Sequence, residues 1–353
     1  MENRIKKILI IRLSAIGDTI HTLPMVNALK RNLHDTQIHW VVEDKAQFFV
    51  EQAKNIDKVF VLPKKKWRKE RNFLSAINDF SRIMNKLQHE KYDIAIDVQQ
   101  LFKSGLVLAF CGAKRKISMD IAREFSGIFA NEKIKSKAKL FDPNYHILKR
   151  YEEYLNYLGI DDTNVTFELK DFSQSAKDYA LGVFEGLSKG RPTLVFAPAT
   201  TWKNKHWQTS NWSKLFEHFA PKSNIIFTGL EKDNDLINEI TQGLDLPYTN
   251  LAGKTTLEEL AQVIKMSDLV VSPDSGTAHT AWVVEHPYVI TIFTSTAKNR
   301  TGPIGEKCFS FAPDLNCSPC LQRKCSLKQD RNKCMRLPEP QIIIDKIEEL
   351  LFK

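Results

Sequence analysis

Ser14-Ala15-Ile16-Gly17-Asp18 sets one glycine and one carboxylate directly after an apolar run. A carboxylate near a helix N-terminus stays ionised at neutral pH, so Asp18 can accept a proton as a general base. The plainer role for the same residue is a helix N-cap. The spacing fits neither the G-x-G-x-x-G dinucleotide fingerprint nor the G-x-x-x-x-G-K-[ST] phosphate loop. Farther on, PATTWKNKHW (residues 198–207) gathers Thr200, Thr201, Lys203 and Lys205 after a second apolar run. Hydroxyls and ammonium groups there suit an anion, against the alternative of a solvated loop with an aromatic anchor. SPDSGTAH (residues 272–279) follows a third run and opens a helix. Gly276 permits close backbone approach, and the free N–H groups of the helix start attract phosphate. Asp274 would repel phosphate, so it reads as a hydroxyl-binding or loop-bracing residue. His279 taken alone reads as a cap or core histidine.

Three further segments carry chemistry of other kinds. In Lys64–Arg71 (KKKWRKER) six of eight residues are basic. A charge run is usually a solvated loop; the functional alternative is contact with anionic headgroups or phosphorylated sugar, with Trp67 at the membrane interface. Cys317, Cys320, Cys325 and Cys334 include one C-x2-C pair and could hold a structural zinc or iron, or remain free thiols. Asp233-Asn234-Asp235 is a formal D-x-D that could hold Mg²⁺ under a diphosphate. The preferred reading gives Asp233 a ribose hydroxyl, as acidic residues do in other nucleotide-binding α/β domains.

The elements that must position these residues follow from hydrophobic spacing. Strands are expected at Lys7–Arg12, Ile38–Val42, Val59–Leu62 and Tyr92–Val98, with helices at Ile20–Asn32, Leu74–Gln88, Phe102–Phe110 and His146–Leu158. The pattern restarts with strands Thr193–Ala197, Asn224–Thr228, Asp268–Ser272 and Val289–Phe293. Helices are expected at Trp212–Phe219, Leu236–Gly243, Leu257–Lys265, Thr277–Val284 and Ile342–Phe352. Short apolar strands alternating with helices predict parallel sheets, hence an α/β fold of two Rossmann-like domains with ligand at the strands' carboxyl ends, in the cleft between the halves. The expected division is 1–175, 176–338 and a closing helix at 339–353 that packs back on the N-terminal domain.

The 353 residues suit two domains at about 150 each. With 42% hydrophobic and 10% aromatic residues, a mainly disordered chain is excluded. A run of about 18 uncharged apolar residues is absent, which argues against a spanning helix. The start reads as a core strand rather than a signal peptide, so a cytoplasmic location is expected, and six cysteines without such a signal argue against a disulfide framework. The net charge of +9 suits an acidic partner. Nucleic acid is not expected, because no nucleic-acid module surrounds the basic run.

Taken together, IRLSAIGDTIHTLP, ATTWKNKHW and SPDSGTAH resemble, in order and over nearly the whole chain, three motifs of the ADP-heptose:lipopolysaccharide heptosyltransferases, glycosyltransferase family 9. KKKWRK, LFKSG and SMDIAREF are most like heptosyltransferase I, which adds the first heptose to a Kdo residue; CSPCLQRKC…CMR is more like heptosyltransferase II. The resemblance implies a GT-B fold, with acceptor on the N-terminal half and ADP-heptose on the C-terminal half. It places Asp18 at the general base and Lys205 at the diphosphate-binding lysine beside Thr200 and Thr201. It places Asp233 at the ribose, Thr255 near the adenine, and Asp274, Ser275, Gly276, Thr277 and His279 on the sugar-diphosphate loop. Ser14, Gly17, Lys65, Lys66, Arg68, Lys69, Lys103 and Arg123 fall where the acceptor binds. The implied reaction inverts the anomeric centre and needs no cofactor. Its implied partners are ADP-heptose and Kdo-lipid A or heptosylated inner core, met peripherally on the inner leaflet of the cytoplasmic membrane. The rivals are another family 9 transferase, a basic nucleic-acid-binding protein, and a metal-dependent transferase using Asp233 and Asp235.

Overall fold

Ile8, Leu9, Ile10 and Ile11 are all fully buried, an apolar run without alternation, which is what a strand covered on both faces requires. In the computed structural model, which describes residues 5–353, they lie in β1 (Lys7–Ile11), the third strand of a six-stranded parallel sheet ordered β3-β2-β1-β4-β5-β6. The other strands are β2 (Gln37–Glu43), β3 (Lys58–Leu62), β4 (Ile94–Asp97), β5 (Arg115–Met119) and β6 (Glu132–Ile134). The helices between and after them are α1 (Ile16–Asn32), α2 (Gln47–Gln52), α3 (Lys64–Glu70), α4 (Phe73–Glu90), α5 (Phe102–Phe110) and α6 (Ile147–Tyr157). Residues 1–4 of the expected first domain lie outside the described residues.

The chain divides into two units after Asp171. The second contains α7 (Gln174–Glu185), β7 (Thr193–Phe196), α8 (Thr209–Phe219), β8 (Asn224–Phe227), α9 (Asn234–Thr241), β9 (Thr249–Asn250), α10 (Leu257–Met266), β10 (Leu269–Pro273), α11 (Gly276–Val283), β11 (Tyr288–Ile292), α12 (Lys298–Thr301), β12 (Cys308–Phe311) and α13 (Pro340–Leu351). Its parallel sheet runs β12-β11-β10-β7-β8-β9. Both sheets therefore have the doubly wound order 3-2-1-4-5-6, counting each from its own first strand. In each unit the order reverses between strands one and four, where the flanking connections leave to opposite sides and open a crevice. Those points fall between β1 and β4, and between β7 and β10.

The expected boundary at 175/176 falls inside the first turn of α7, whose N-cap Ser173 accepts the N–H of Ala176. Residues 339–353 belong to the second unit. Ile343, Ile344 and Ile347 of α13 are buried in the second unit's core with Trp207, Trp212 and Phe216. Each such side chain stabilises its unit by about 1.5–3 kcal/mol relative to exposure. The apolar face of α13 is thus committed to its own unit.

Candidate active site

Asp18 stands in the first turn of α1, just past the carboxyl end of β1. Its Oδ2 accepts the N–H of Ala15 at 3.0 Å, so it caps its own helix. Its Oδ1 lies 2.8 Å from Nη2 of Arg12, the residue after β1. Arg12 is buried and donates through Nη1 to the carbonyl of Val98 at 3.0 Å. Burial works against the Arg12 charge, but the Asp18 carboxylate more than restores it and holds the guanidinium above its ordinary value. The Asp18 side chain remains 45% exposed. The carboxylate is thus held by Arg12 and by its own helix start while staying partly exposed.

A second group of charges stands beside it. Ser14 Oγ accepts from Lys103 Nζ at 3.0 Å, and Lys103 and Lys64 converge on Glu43 Oε1 at 2.5 and 2.9 Å. Burial alone would raise the Glu43 carboxyl; the two ammonium groups hold it below its ordinary value. Burial is also the main reason the Lys103 ammonium falls below its own ordinary value. Gln99 donates toward Ser14 Oγ and accepts the N–H of Leu13 at 2.6 Å. Gly17 lies in the first turn of α1, its carbonyl 2.7 Å from His21 Nδ1. The result is a polar wall along the carboxyl ends of β1, β2 and β4.

In the second unit the same edge carries the other motifs. Lys205 Nζ donates to Asp274 Oδ2 at 2.6 Å and to the Asp274 carbonyl at 3.2 Å. Thr200 Oγ1 points to that carbonyl at 3.4 Å, and His279 Nε2 lies 3.6 Å from Asp274 Oδ1. Burial would raise the Asp274 carboxyl, but His279 and Lys205 outweigh it and hold it far below the usual carboxylate range. Asp274 is therefore the brace of the loop, and Lys205 is its cation. Ser275 caps α11 by accepting the N–H of Thr277 at 3.2 Å; Gly276 opens that helix, where an added Cβ would meet nothing within 4 Å. Thr201 is exposed beside Thr200.

Asp233 Oδ2 accepts the N–H of Leu230 at 2.8 Å and caps the turn before α9. Gly253, at φ +75°, packs so closely on Glu231 that an added Cβ would lie 2.7 Å from Glu231 Cβ, and its N–H donates to the Gly229 carbonyl at 3.0 Å. This joins the Asp233 loop to the half-buried Thr255 just beyond. The motifs thus occupy the ends of β10, β7, β8 and β9, four neighbouring strands. Three strand spacings span about 14 Å.

Residues 80–330 match the model of glycosyltransferase family 9 (heptosyltransferase). The chain belongs to that family. It is 25% identical over 369 residues to lipopolysaccharide heptosyltransferase 1 of Pseudomonas aeruginosa, covering 98% of both chains. It is 29% identical over 262 residues to lipooligosaccharide heptosyltransferase 2 of Campylobacter jejuni, covering 71% of this chain and 81% of that one. The solved family 9 glycosyl transferase of Veillonella parvula superposes with a TM-score of 0.81 at 18% identity, over 100% of this chain and 99% of that one. The structure of E. coli heptosyltransferase WaaC with ADP gives 0.74 at 24% identity, over 97% and 99%. The fold is GT-B, and this family 9 chain is a glycosyltransferase.

Not every expected site residue of this transferase stands where an acceptor could use it. The run Lys64–Glu70 is a helix, not a solvated loop. Lys66 is engaged by Asp79 at 2.8 Å, and Trp67 donates to the same oxygen at 3.2 Å while packing on the core. Trp67 is therefore turned inward and is not an interfacial residue. Lys65, Arg68 and Lys69 are exposed; Arg123 is exposed with its guanidinium 5.1 Å from the centre of the Phe141 ring. Arg12 and Glu43 are the charged groups that sequence reasoning missed. The available signal was a charge at the end of an otherwise apolar strand, which must find a partner if buried.

The cysteine expectation fares less well. Burial, and then the neighbouring thiols of Cys320, Cys317 and Cys325, push Cys334 up to about 11. Yet among the described residues no three His, Cys, Asp or Glu side chains converge as metal ligands. The sulfur of Cys325 is instead 3.5 Å from the N–H of Asn332. The expected structural zinc or iron site is not assembled by these residues.

Proposed function

We propose that the chain transfers L-glycero-D-manno-heptose from ADP-heptose to the Kdo of the lipopolysaccharide inner core, with inversion, at the inner face of the cytoplasmic membrane. The observation that carries this reading is the Lys205–Asp274 pair at the switch point of the second unit, flanked by Thr200, Thr201 and the start of α11. A diphosphate placed there meets an ammonium group, hydroxyls and the N-terminus of α11, which neutralise the charge that develops as ADP leaves. Asp233 binds the ribose and Thr255 lies near the adenine. The acceptor hydroxyl attacks the anomeric carbon from the face opposite ADP. Asp18 takes its proton, the bond to the diphosphate oxygen breaks, and the configuration inverts. Ser14, Gly17, Lys103, Lys65, Arg68, Lys69 and Arg123 orient the acceptor's carboxylates and phosphates.

End-to-end similarity to the P. aeruginosa heptosyltransferase 1 supports transfer of the first heptose. A second reading, addition of the next heptose, is favoured by the higher identity to the C. jejuni heptosyltransferase 2 over a shorter span. Incubation with ADP-heptose and either Kdo-lipid A or heptosylated core, with product mass and anomeric configuration read directly, separates the two. Failure to extend either acceptor overturns the proposal.

A further inference from the structure

The first unit exposes large apolar side chains where a soluble protein ordinarily buries them. Phe73 and Leu74, the first two residues of α4, are 77% and 70% exposed, and Ile77 one turn later is 43% exposed. Phe125 and Ile128, in the segment after β5, are 84% and 69% exposed. Isolated exposed hydrophobics need no explanation, but five in two clusters on one edge do. Both clusters leave the sheet from strand carboxyl ends: α4 follows β3 by way of α3, and residues 120–129 follow β5. In the order β3-β2-β1-β4-β5 they flank, on either side, the edge that carries Asp18.

The surroundings of these side chains are basic. Lys65, Arg68, Lys69 and Arg71 are exposed on and just after α3, and none has a carboxylate within ion-pair distance among the described residues. Asp44 fixes the start of this helix by accepting the N–H of Lys65 at 2.6 Å. Arg123 stands two residues before Phe125. The exposed lysines argue against a protein partner, since lysine is depleted at protein interfaces. Apolar side chains interleaved with unpaired cations match a surface that inserts shallowly among anionic headgroups. Among the described residues no helix is long and apolar enough to cross a membrane, so contact through this edge is peripheral.

We infer that the rim formed by Phe73, Leu74 and Ile77 on one side and Phe125 and Ile128 on the other docks on an anionic lipid bilayer, with the α3 cations beside it. The inference rests on the proposed function in one respect: a lipid-anchored acceptor can reach Asp18 only if this edge meets the membrane that holds it. Trp67 plays no part, and the insertion is made by residues that the charge run concealed.

The test uses the full chain and vesicles of phosphatidylethanolamine with phosphatidylglycerol, against phosphatidylcholine alone. Wild type should sediment with the anionic vesicles at low salt and partly resist release by high salt, because the apolar part is not screened. Phe73→Ser/Leu74→Ser and Phe125→Ser/Ile128→Ser should each lower partitioning about tenfold or more, since each withdraws two large apolar groups. Both should keep the wild-type melting temperature, because the residues removed are solvent-exposed. Turnover of Kdo-lipid A in vesicles should fall with partitioning, while turnover of a deacylated, water-soluble acceptor stays unchanged. Undiminished vesicle binding by both variants overturns the inference. So does a wild-type dimer that the substitutions dissociate, which would make the rim a contact between copies. If wild type binds anionic vesicles through this rim but glycosylates neither acceptor, the functional proposal fails and the docking surface stands.

Discussion

Lys205→Met separates the structural job of one ammonium group from its proposed catalytic one. Its Nζ is 2.6 Å from Asp274 Oδ2, with side-chain exposures of 18% and 8%. Removing one partner of a buried pair leaves the other uncompensated, at a cost of about 3–5 kcal/mol. His279, 3.6 Å from the other oxygen, keeps the cost toward the low end. In a unit of this size that lowers the melting temperature on the order of 10 °C. The same group is proposed to meet the leaving diphosphate, and losing one such donor raises the barrier by about 2.7–4 kcal/mol, roughly 10²–10³ in turnover. Asp274→Asn in the Lys205→Met background tells the two apart, because it removes the buried charge that the lysine neutralised. The double variant should regain most of the lost melting temperature and none of the lost turnover. ADP release in steady state and a thermal melt measure both. Turnover within tenfold of wild type in Lys205→Met, or turnover restored in the double variant, would make Lys205 a structural brace and refute its role in catalysis.

Other substitutions probe the rest of the site. Asp18→Asn keeps an oxygen to accept the N–H of Ala15, so the cap survives while the base is lost; turnover should fall about 10²–10⁴-fold, and an unchanged rate in purified protein rules the assignment out. Asp97 is fully buried, and burial pushes its carboxyl up from 3.8 to about 6 against the donors Gln100, Ser104 and Gln99. The native state then holds a proton that the unfolded chain has released, so stability falls as pH rises from about 4 to about 6, by at most about 3 kcal/mol. Urea unfolding across that range should show the slope in wild type and not in Asp97→Asn; equal slopes contradict it. Gly253→Ala places a Cβ 2.7 Å from Glu231 Cβ at φ +75°. It should cost about 1–3 kcal/mol and weaken ADP binding by shifting the Asp233 and Thr255 loops together. Calorimetry giving wild-type affinity for ADP would show that those loops do not form the nucleotide site.

The central strands were legible because burial on both faces writes them as apolar runs: KILII, IAID, TLVF and LVVSP are visible without any partner. Strands β5, β6 and β9 were not. β5 begins with Arg115 and Lys116, while β6 and β9 are three and two residues long. Such strands are specified by a neighbour already in place, not by their own pattern. α3 escaped because a run of lysines carries no apolar period, although Trp67 and the ion pair of Lys66 with Asp79 pin it. Asp274 was readable from charge alone as a hydroxyl-binding or loop-bracing residue, since a carboxylate beside a phosphate loop needs a reason to be there. Its pairing with Lys205 was not readable, because the two lie 69 positions apart.

Both units solve the same physical problem at the switch point, and the difference between the solutions separates their chemistry. Where the connections after strands one and four leave to opposite sides, the chain leaves carbonyl groups at the mouth of the crevice. In the first unit Arg12 crosses from β1 to the Val98 carbonyl after β4, at 3.0 Å. In the second, Lys205 crosses from the loop after β7 to the Asp274 carbonyl after β10, at 3.2 Å. Each cation also takes a carboxylate, Asp18 in one case and Asp274 in the other. The exposures are reversed between the pairs. In the first the cation is the hidden member, at 9% against 45% for Asp18; in the second the carboxylate is, at 8% against 18% for Lys205. A planar guanidinium fixed from behind can only orient the carboxylate in front of it, whereas an ammonium on a flexible stem can exchange partners. In the proposed reaction the first unit's exposed carboxylate is the acceptor of protons and the second unit's ammonium group the cation for phosphate. That polarity is what a displacement requires when a hydroxyl is deprotonated on one side and an anion departs on the other.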